Sequence, residues 1–279
     1  GFPLPAMRLY DAHNHLQDKR LAPWLDEIVE SIPRLAIERM VVNGTKESDW
    51  DDVASLARQH RWIQPSFGLH PWYVRQRSPT WLDTLRRLLS EFPSAAVGEI
   101  GLDRWIPDAD LPAQEEVFGA QLELAATLHR PVSIHCLKAW GKLEVMLSSA
   151  RMPLHGFLLH SYSGPAEMVP RFASLGAYFS FSPHFTHERK SRQAQVFASV
   201  PLDRLLAETD APDMGPPDAL NPRPLRDLEG KPLNHPANLE LSYRALAAVR
   251  GLSPAEIALR FEENFLRLFD ARPQAPIRP

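Results

Sequence analysis

Short β-branched or apolar runs recur along the chain at Arg8–Ala12, Met40–Asn43, Ile63–Gly68, Ala95–Ile100, Val132–His135, Phe157–His160, Tyr178–Ser182 and Leu205–Glu208, and segments of helical character separate them. In Glu115–Leu128, Val117, Gln121, Leu124 and Leu128 fall on one face, and Phe118 and Leu122 widen it. Near the end, Ser253, Pro254 and Glu256 supply a cap, a first-turn proline and a capping-box acid ahead of the periodic Ile257, Phe261 and Phe265, which predicts a terminal helix. Strand and helix alternate throughout. Such alternation predicts an α/β protein with a parallel sheet, and eight units without a linker favour a single-domain (β/α)8 TIM-type barrel over an open doubly wound sheet. The barrel is expected over residues 8–270, between an N-terminal extension (1–7) and a flexible, proline-rich tail (271–279), with the first six residues frayed as well. Prolines also cluster between Pro212 and Pro236, where little regular structure is predicted; a long irregular loop in a compact domain is usually functional.

Composition changes this picture only by exclusion. The chain has 279 residues, 44% hydrophobic and 23% charged, which suits one globular domain of barrel size. A formal charge of −3 excludes a protein that grips duplex nucleic acid by overall basicity, so any such contact must be local. Cys136 is the single cysteine, no basic and apolar leader opens the sequence, and no apolar run approaches a membrane span. A soluble cytoplasmic protein is expected, with no membrane association and nothing that points to an obligate protein partner.

Candidate chemistry gathers at the ends of the predicted strands. His13 and His15 in Asp11-Ala-His-Asn-His15 lie two residues apart, so in extended chain they point to one side, roughly 6.6 Å apart. Glu99 interrupts an apolar strand between two glycines, and a buried carboxylate without a cation costs several kcal/mol. His135 and His160 each close an apolar run, and Asp210 follows Leu205-Leu-Ala-Glu-Thr. In a barrel the carboxyl ends of the strands form the functional face, and core packing does not explain His, Glu or Asp at five of eight of them. These six residues therefore predict a metal site, its mixed imidazole and carboxylate donors suiting Zn²⁺, Mn²⁺ or Fe²⁺ better than Mg²⁺. Cys136 follows His135, and strand alternation turns it away as a packed thiol.

These motifs, in this order, resemble the TatD-type family of metal-dependent hydrolases, related to the amidohydrolase superfamily: Asp11–Leu16, Gly68-Leu-His-Pro71, Gly98-Glu-Ile-Gly-Leu-Asp103, Ile134-His135, His160-Ser-Tyr-Ser-Gly164, Glu208-Thr-Asp-Ala-Pro212, and Asn264 with Leu268-Phe269. The likeness runs from Tyr10 to Phe269. It implies a TIM-type barrel, two divalent ions (Zn, Mn or Mg) and phosphodiester hydrolysis, commonly deoxyribonuclease action at strand ends. It also implies His13, His15 and Asp210 on one ion, His135 and His160 on the other, and Glu99 bridging both as a catalytic residue. Asp210 is then placed to take the proton of the attacking water. Two positions depart from the family pattern. Leu137, followed by Lys138, stands where an arginine is common, and His235 stands where a glutamate is common between Asn234 and Pro236.

Substrate contacts are expected from His70, Arg104 and Lys138, and from the basic cluster His184, His187, Arg189, Lys190 and Arg192 after the seventh strand, a rim able to hold a phosphate backbone locally. Trp72 and Tyr73 are candidates for stacking on bases of a DNA end or single strand. Two other readings stay open: an amidase or lactonase using the same metals on a carbonyl carbon, and a catalytically silent barrel that only binds.

Overall fold

The computed structural model describes residues 7–270, and the expected frayed ends fall on residues 1–6 and 271–279, outside the described residues. Eight parallel strands follow one another around one sheet: β1 (Leu9–Asn14), β2 (Ile37–Asn43), β3 (Ile63–Phe67), β4 (Ala96–Asp103), β5 (Val132–Leu137), β6 (Phe157–Leu159), β7 (Ala177–Phe181) and β8 (Leu205–Ala207). Between them run α1 (Leu25–Ser31), α2 (Glu47–Gln59), α3 (Trp81–Glu91), α4 (Leu111–Leu128), α5 (Trp140–Ser149), α6 (Val169–Ser174) and α7 (Ser191–Val196); α8 (Leu239–Arg250) and α9 (Pro254–Phe269) follow β8. None of the described helices is long and apolar enough to cross a membrane.

This is the (β/α)8 barrel that the alternation predicts, and its last seam closes where the candidate chemistry lies. Strand β8 has only three residues. Beyond it, Asp210 N donates to His13 O (2.9 Å) and His15 N to Ala211 O (2.8 Å), while the Asp11 carboxylate accepts from Thr209 N (3.0 Å) and Thr209 Oγ1 (2.6 Å).

The barrel interior is filled at its lower end by Tyr10, Ala12, Val41, Leu158, Tyr178 and Leu206, with Phe265, Leu268 and Phe269 of α9 plugging it from below. Above them come Asn43 of β2, Ser66 of β3, Ser133 of β5 and Ser180 of β7, all buried, a polar layer beneath the mouth. Strict alternation would then turn His13 and Glu99 outward, away from Ala12 and Ala96. The ladder slips between Asp11 and Asn14 in β1 and between Val97 and Ile100 in β4, and such irregularities re-aim side chains. Gly98 makes the second slip sterically feasible: a Cβ there would meet Asn43 Oδ1 at 2.7 Å, Ser133 Cβ at 2.8 Å and Ser66 Oγ at 2.9 Å.

Helix α4 starts four residues earlier than the apolar pattern suggests, because Asp110 caps it by accepting from Ala113 N (3.1 Å) and Pro112 occupies its first turn. Its buried face includes two glutamines two turns apart. Gln114 clamps Asp103, accepting from its N–H (2.8 Å) and donating to its C=O (2.9 Å). Gln121 clamps Leu69 in the same way, at 2.7 and 3.1 Å. Both clamped residues adjoin or belong to the site. The capping box expected for α9 is formed by Ser253 and Glu256. The proline-rich segment after β8 contains a two-residue hairpin, β9 (Leu225–Arg226) with β10 (Pro232–Leu233), which its composition conceals.

Removing a clamp tests its weight. Gln121→Leu keeps the volume but orphans the Leu69 N–H and C=O in a buried place, at about 1–3 kcal/mol for each group. The expected outcome is a clear fall in the urea midpoint, with Gln59→Leu on the exposed face of α2 as a neutral control. A midpoint equal to wild type would show that the clamp contributes nothing.

Candidate metal centre

Six side chains from five strand ends meet in the mouth of the barrel. His13 is the penultimate residue of β1 and His15 lies just past it, Glu99 lies within β4, His135 within β5, His160 one residue past β6 and Asp210 three past β8. His13 Nε2 and His15 Nε2 are 3.2 Å apart; Glu99 Oε2 lies 3.3 and 3.0 Å from them, and Asp210 Oδ1 3.5 and 3.4 Å. Four donors around a tetrahedral ion with bonds of about 2.1 Å stand about 3.4 Å apart, so these five separations match the edges of such a cage.

The other oxygen of Glu99 faces a second group. Glu99 Oε1 lies 2.5 Å from His160 Nε2, 3.2 Å from His135 Nδ1 and 3.5 Å from His70 Nε2. His160 Nε2 is buried and, despite that closeness, lies outside hydrogen-bond geometry; it has no partner. An orphaned imidazole nitrogen aimed at a carboxylate is the observation that fits an absent cation. Tautomers sort the histidines further. His15 Nδ1 donates to the Asn43 carbonyl (2.7 Å), His160 Nδ1 to Glu208 Oε2 (3.3 Å) and His135 Nε2 to Asp103 Oδ2 (2.8 Å), so in each ring the nitrogen facing Glu99 keeps its lone pair. His70 is the reverse. Its Nδ1 accepts from Trp72 N (3.0 Å), so the proton sits on Nε2 and that atom donates.

Asp103 and Glu208, quoted in the sequence motifs without a role, thus orient His135 and His160. Both close apolar strand runs as Glu99 interrupts one, and that signal was sufficient to find them. Glu208 is fully buried and accepts from Ser161 N and Ser180 Oγ. His13, His160, Glu208 and Asp210 form a further group able to hold an ion.

The electrostatics of the protein groups favour protons on several of these rings. Burial opposes charge on the Glu99 carboxyl, but His160, His70 and His13 outweigh it and hold that group well below its usual range. Burial likewise opposes charge on His15, yet Asp210 and Glu99 pull it well above the histidine range; Glu99 and Glu208 do the same to His160, and Asp103 with Glu99 raises His135 more modestly. At Asp210 burial wins and the carboxyl is raised. Burial pushes His70 down to about 4, keeping the ring neutral.

A cleft of about 410 Å³ opens over this centre, lined by His15, His70, Glu99, His135, His160 and Asp210 among others. Its cations are Lys19, Arg20 and Lys46, from the loops after β1 and β2. The basic cluster expected to face substrate lies elsewhere: His184, Arg189 and Lys190 do not line the cleft, and His187 Nε2 donates to Gly215 O (3.1 Å) beside a second pocket. Arg104 and Lys138 also lie outside the lining, Lys138 Nζ sitting 5.9 Å over the ring of exposed Trp105. Trp72 and Tyr73 do line it, Trp72 Nε1 donating to Asp103 Oδ2 (2.9 Å) and Tyr73 lying 4.7 Å beneath Lys46 Nζ. Lys19 and Arg20 lie four and five residues past His15 whereas Arg189 lies eight past the end of β7, so the density of basic residues was the wrong signal by which to rank the loops. Arg20 is already paired, with Asp18 and Asp213. Cys136 is buried in the layer between sheet and helices, on the side away from the mouth, and burial pushes its thiol up.

Comparison with known proteins places this geometry. The family model described as TatD related DNase matches residues 10–270. The chain is 30% identical over 268 residues to the uncharacterized metal-dependent hydrolase YjjV of Escherichia coli (94% of this chain, 98% of that protein). It is 30% identical over 264 residues to the 3'-5' ssDNA/RNA exonuclease TatD of Erwinia tasmaniensis (94% and 100%). The crystal structure of the Escherichia coli YjjV protein superposes with a TM-score of 0.84 at 28% identity, covering 95% of this chain and 99% of that one. With the family model matched across residues 10–270, this chain belongs to the TatD family of metal-dependent hydrolases.

Proposed function

We propose that this hydrolase is a two-metal phosphodiesterase, a deoxyribonuclease that acts at DNA ends or single strands. The observation that carries this reading is Glu99, whose two oxygens are divided between two sets of donors in one cleft, as a carboxylate shared by a pair of ions must be. His13, His15 and Asp210 would hold one ion, and His135 and His160 the other. Bound there, divalent ions supply Lewis-acid polarisation and bring water ionisation toward neutral pH.

The chain's own groups do the rest. Asp210, its carboxyl raised by burial, takes the proton from the attacking water on Oδ2, the carboxylate oxygen not turned to His13 and His15. His70, neutral with its proton on Nε2, donates to a phosphate oxygen without competing as a ligand. Lys19 and Lys46 balance phosphate charge at the rim, and half-exposed Trp72 with Tyr73 offers faces for unpaired bases. Relatives named as 3'-5' ssDNA/RNA exonucleases support the substrate class at 28–30% identity. A reducing cytoplasmic setting suits a chain whose one cysteine is buried and free.

Two transition-metal ions per chain are expected by elemental analysis after reconstitution with Mn²⁺ or Zn²⁺, and a ceiling of one ion would sink the two-metal reading. Raised histidines set the pH dependence. Protons on His15, His160 and His135 stabilise the metal-free fold fully below about pH 6.5, and that stabilisation is lost as pH climbs through their raised values. An ion must displace those protons. The Tm gain on adding Mn²⁺ should therefore be larger near pH 8.5 than near pH 6 by calorimetry; a gain independent of pH would contradict proton displacement.

Asp210→Asn keeps one oxygen and the shape but cannot accept a proton at neutral pH. With metal content largely retained, kcat on bis(p-nitrophenyl) phosphate is expected to fall by about 10²–10⁴-fold. Retention of more than about a tenth of wild-type kcat at full occupancy would make Asp210 a ligand only.

Lys46→Ala is expected to weaken binding of single-stranded DNA and lower its salt dependence, while the small diester is turned over as before. The double variant Arg189→Ala, Lys190→Ala provides the comparison: if it alone weakens DNA binding, the rim lies after β7 instead.

A further inference from the structure

A second pocket of about 410 Å³ lies in the segment after β8, within the roughly 300–1,000 Å³ usual for small-molecule sites. It adjoins the metal cleft directly. Asp213 lines both, and its backbone N–H donates to Asp210 O (2.9 Å), so the pocket begins one turn of chain from the candidate base. The partition between them is the ion pair of Asp213 with Arg20 (2.9 Å).

The linings of the two chambers differ in kind. The cleft carries Lys19, Arg20 and Lys46, with Asp18, Asp49 and Asp52 among them and the candidate metal ligands at its floor, whereas the pocket carries two acids, Asp213 and Asp218, and no lysine or arginine to offset them. A phosphate is repelled from such a chamber. Its walls are Pro216, Pro217, Met214 and Leu233, rigid or polarisable apolar groups suited to a flat ring. Between them stand polar atoms with unused capacity. Asn221 spends its Oδ1 on Arg223 N (2.9 Å) and Asn238 Nδ2 (3.2 Å), which leaves its two N–H donors free. His187 spends Nε2–H on Gly215 O, which leaves Nδ1 as an acceptor. Donors and acceptors at the edge of an apolar slot, without a cation, match the edge of an uncharged heteroaromatic ring.

We infer that this pocket is a nucleobase subsite, which takes the base of the nucleotide next to the scissile phosphate while the cleft takes the phosphate itself. The inference rests on the phosphodiesterase reading and adds to it where the substrate's base goes. Asn221 donates to a ring nitrogen or carbonyl of the base, and His187 Nδ1 and Asp218 accept from its exocyclic amine. Arg20, fixed between Asp18 and Asp213, sits at the junction where sugar passes from one chamber to the other. Segment 212–236 is thereby a recognition loop, and its prolines hold the slot open at low entropic cost.

Two variants and a phosphate-free probe test this. Asn221→Asp keeps the oxygen that Arg223 N and Asn238 use and replaces the donors with a second, charged acceptor oxygen; Pro217→Trp fills the slot with a ring. In both, kcat/KM on a single-stranded oligonucleotide is expected to fall about tenfold or more, the size of one lost base contact. Hydrolysis of bis(p-nitrophenyl) phosphate should be unchanged. Equal losses on both substrates, or on neither, overturn the subsite. Deoxyadenosine alone, added to the metal-loaded protein, should shift the NMR signals of the His187 ring and the Asn221 amide in wild type and not in Pro217→Trp. No shift in wild type overturns the subsite whatever the hydrolysis assays give. A shift without any DNA cleavage upholds the pocket and rejects the nuclease reading alone.

Discussion

Glu99 buries a carboxylate among five histidine rings, all with a nitrogen within 3.5 Å of it, and an isolated charge in that position costs several kcal/mol. The surrounding architecture answers that cost. Gly98 lets the strand approach its neighbours closely enough for the ladder to slip and the carboxylate to turn inward. The polar layer of Asn43, Ser66, Ser133 and Ser180 replaces apolar packing directly below, so the barrel changes from oil to hydrogen bonds within one residue step. Ser133 Oγ meets His13 Nδ1 at 2.7 Å and the Asn43 carbonyl takes the proton of His15.

The two halves of the centre are supported differently. On the side of His13 and His15 the supporting partners are neutral, a hydroxyl and a backbone carbonyl. On the side of His135 and His160 they are carboxylates, Asp103 and Glu208. A carboxylate partner makes an imidazole more basic and a better donor to a cation. The second side has fewer protein donors around Glu99 Oε1, and stronger individual donors compensate for that. It also faces His70, whose protonated Nε2 lies 3.5 Å from Glu99 Oε1.

Support reaches the site from a distance through α4. Gln114 holds the backbone of Asp103, which holds His135; Gln121 holds Leu69, next to His70. One helix thereby fixes the residues after β3 and at the end of β4 relative to each other. The rim then divides the space above: lysines and an arginine interleaved with acids over the cleft, prolines and two acids without a lysine or arginine around the neighbouring pocket, and the Arg20–Asp213 pair between them.

The sequence by itself determined the barrel, the family and the six residues that converge, because strand and helix periodicities are local and because an acid or imidazole closing an apolar run has few structural excuses. The capping of α9 was equally legible, since Ser253, Pro254 and Glu256 act within one turn. What the periodicity could not supply was direction. Alternation alone turns His13 and Glu99 out of the barrel, and only the ladder slips, which depend on neighbouring strands, turn them in. Nor could it supply pairing: that Asp103 and Glu208 hold imidazoles, that α4's glutamines are clamps rather than part of a greasy face, and that Lys46 rather than Arg189 overlooks the cleft are facts of distance between segments far apart in the chain. Tautomer belongs to the same class, since which nitrogen of His70 carries the proton is set by the N–H of Trp72 in a turn whose shape no spacing rule encodes.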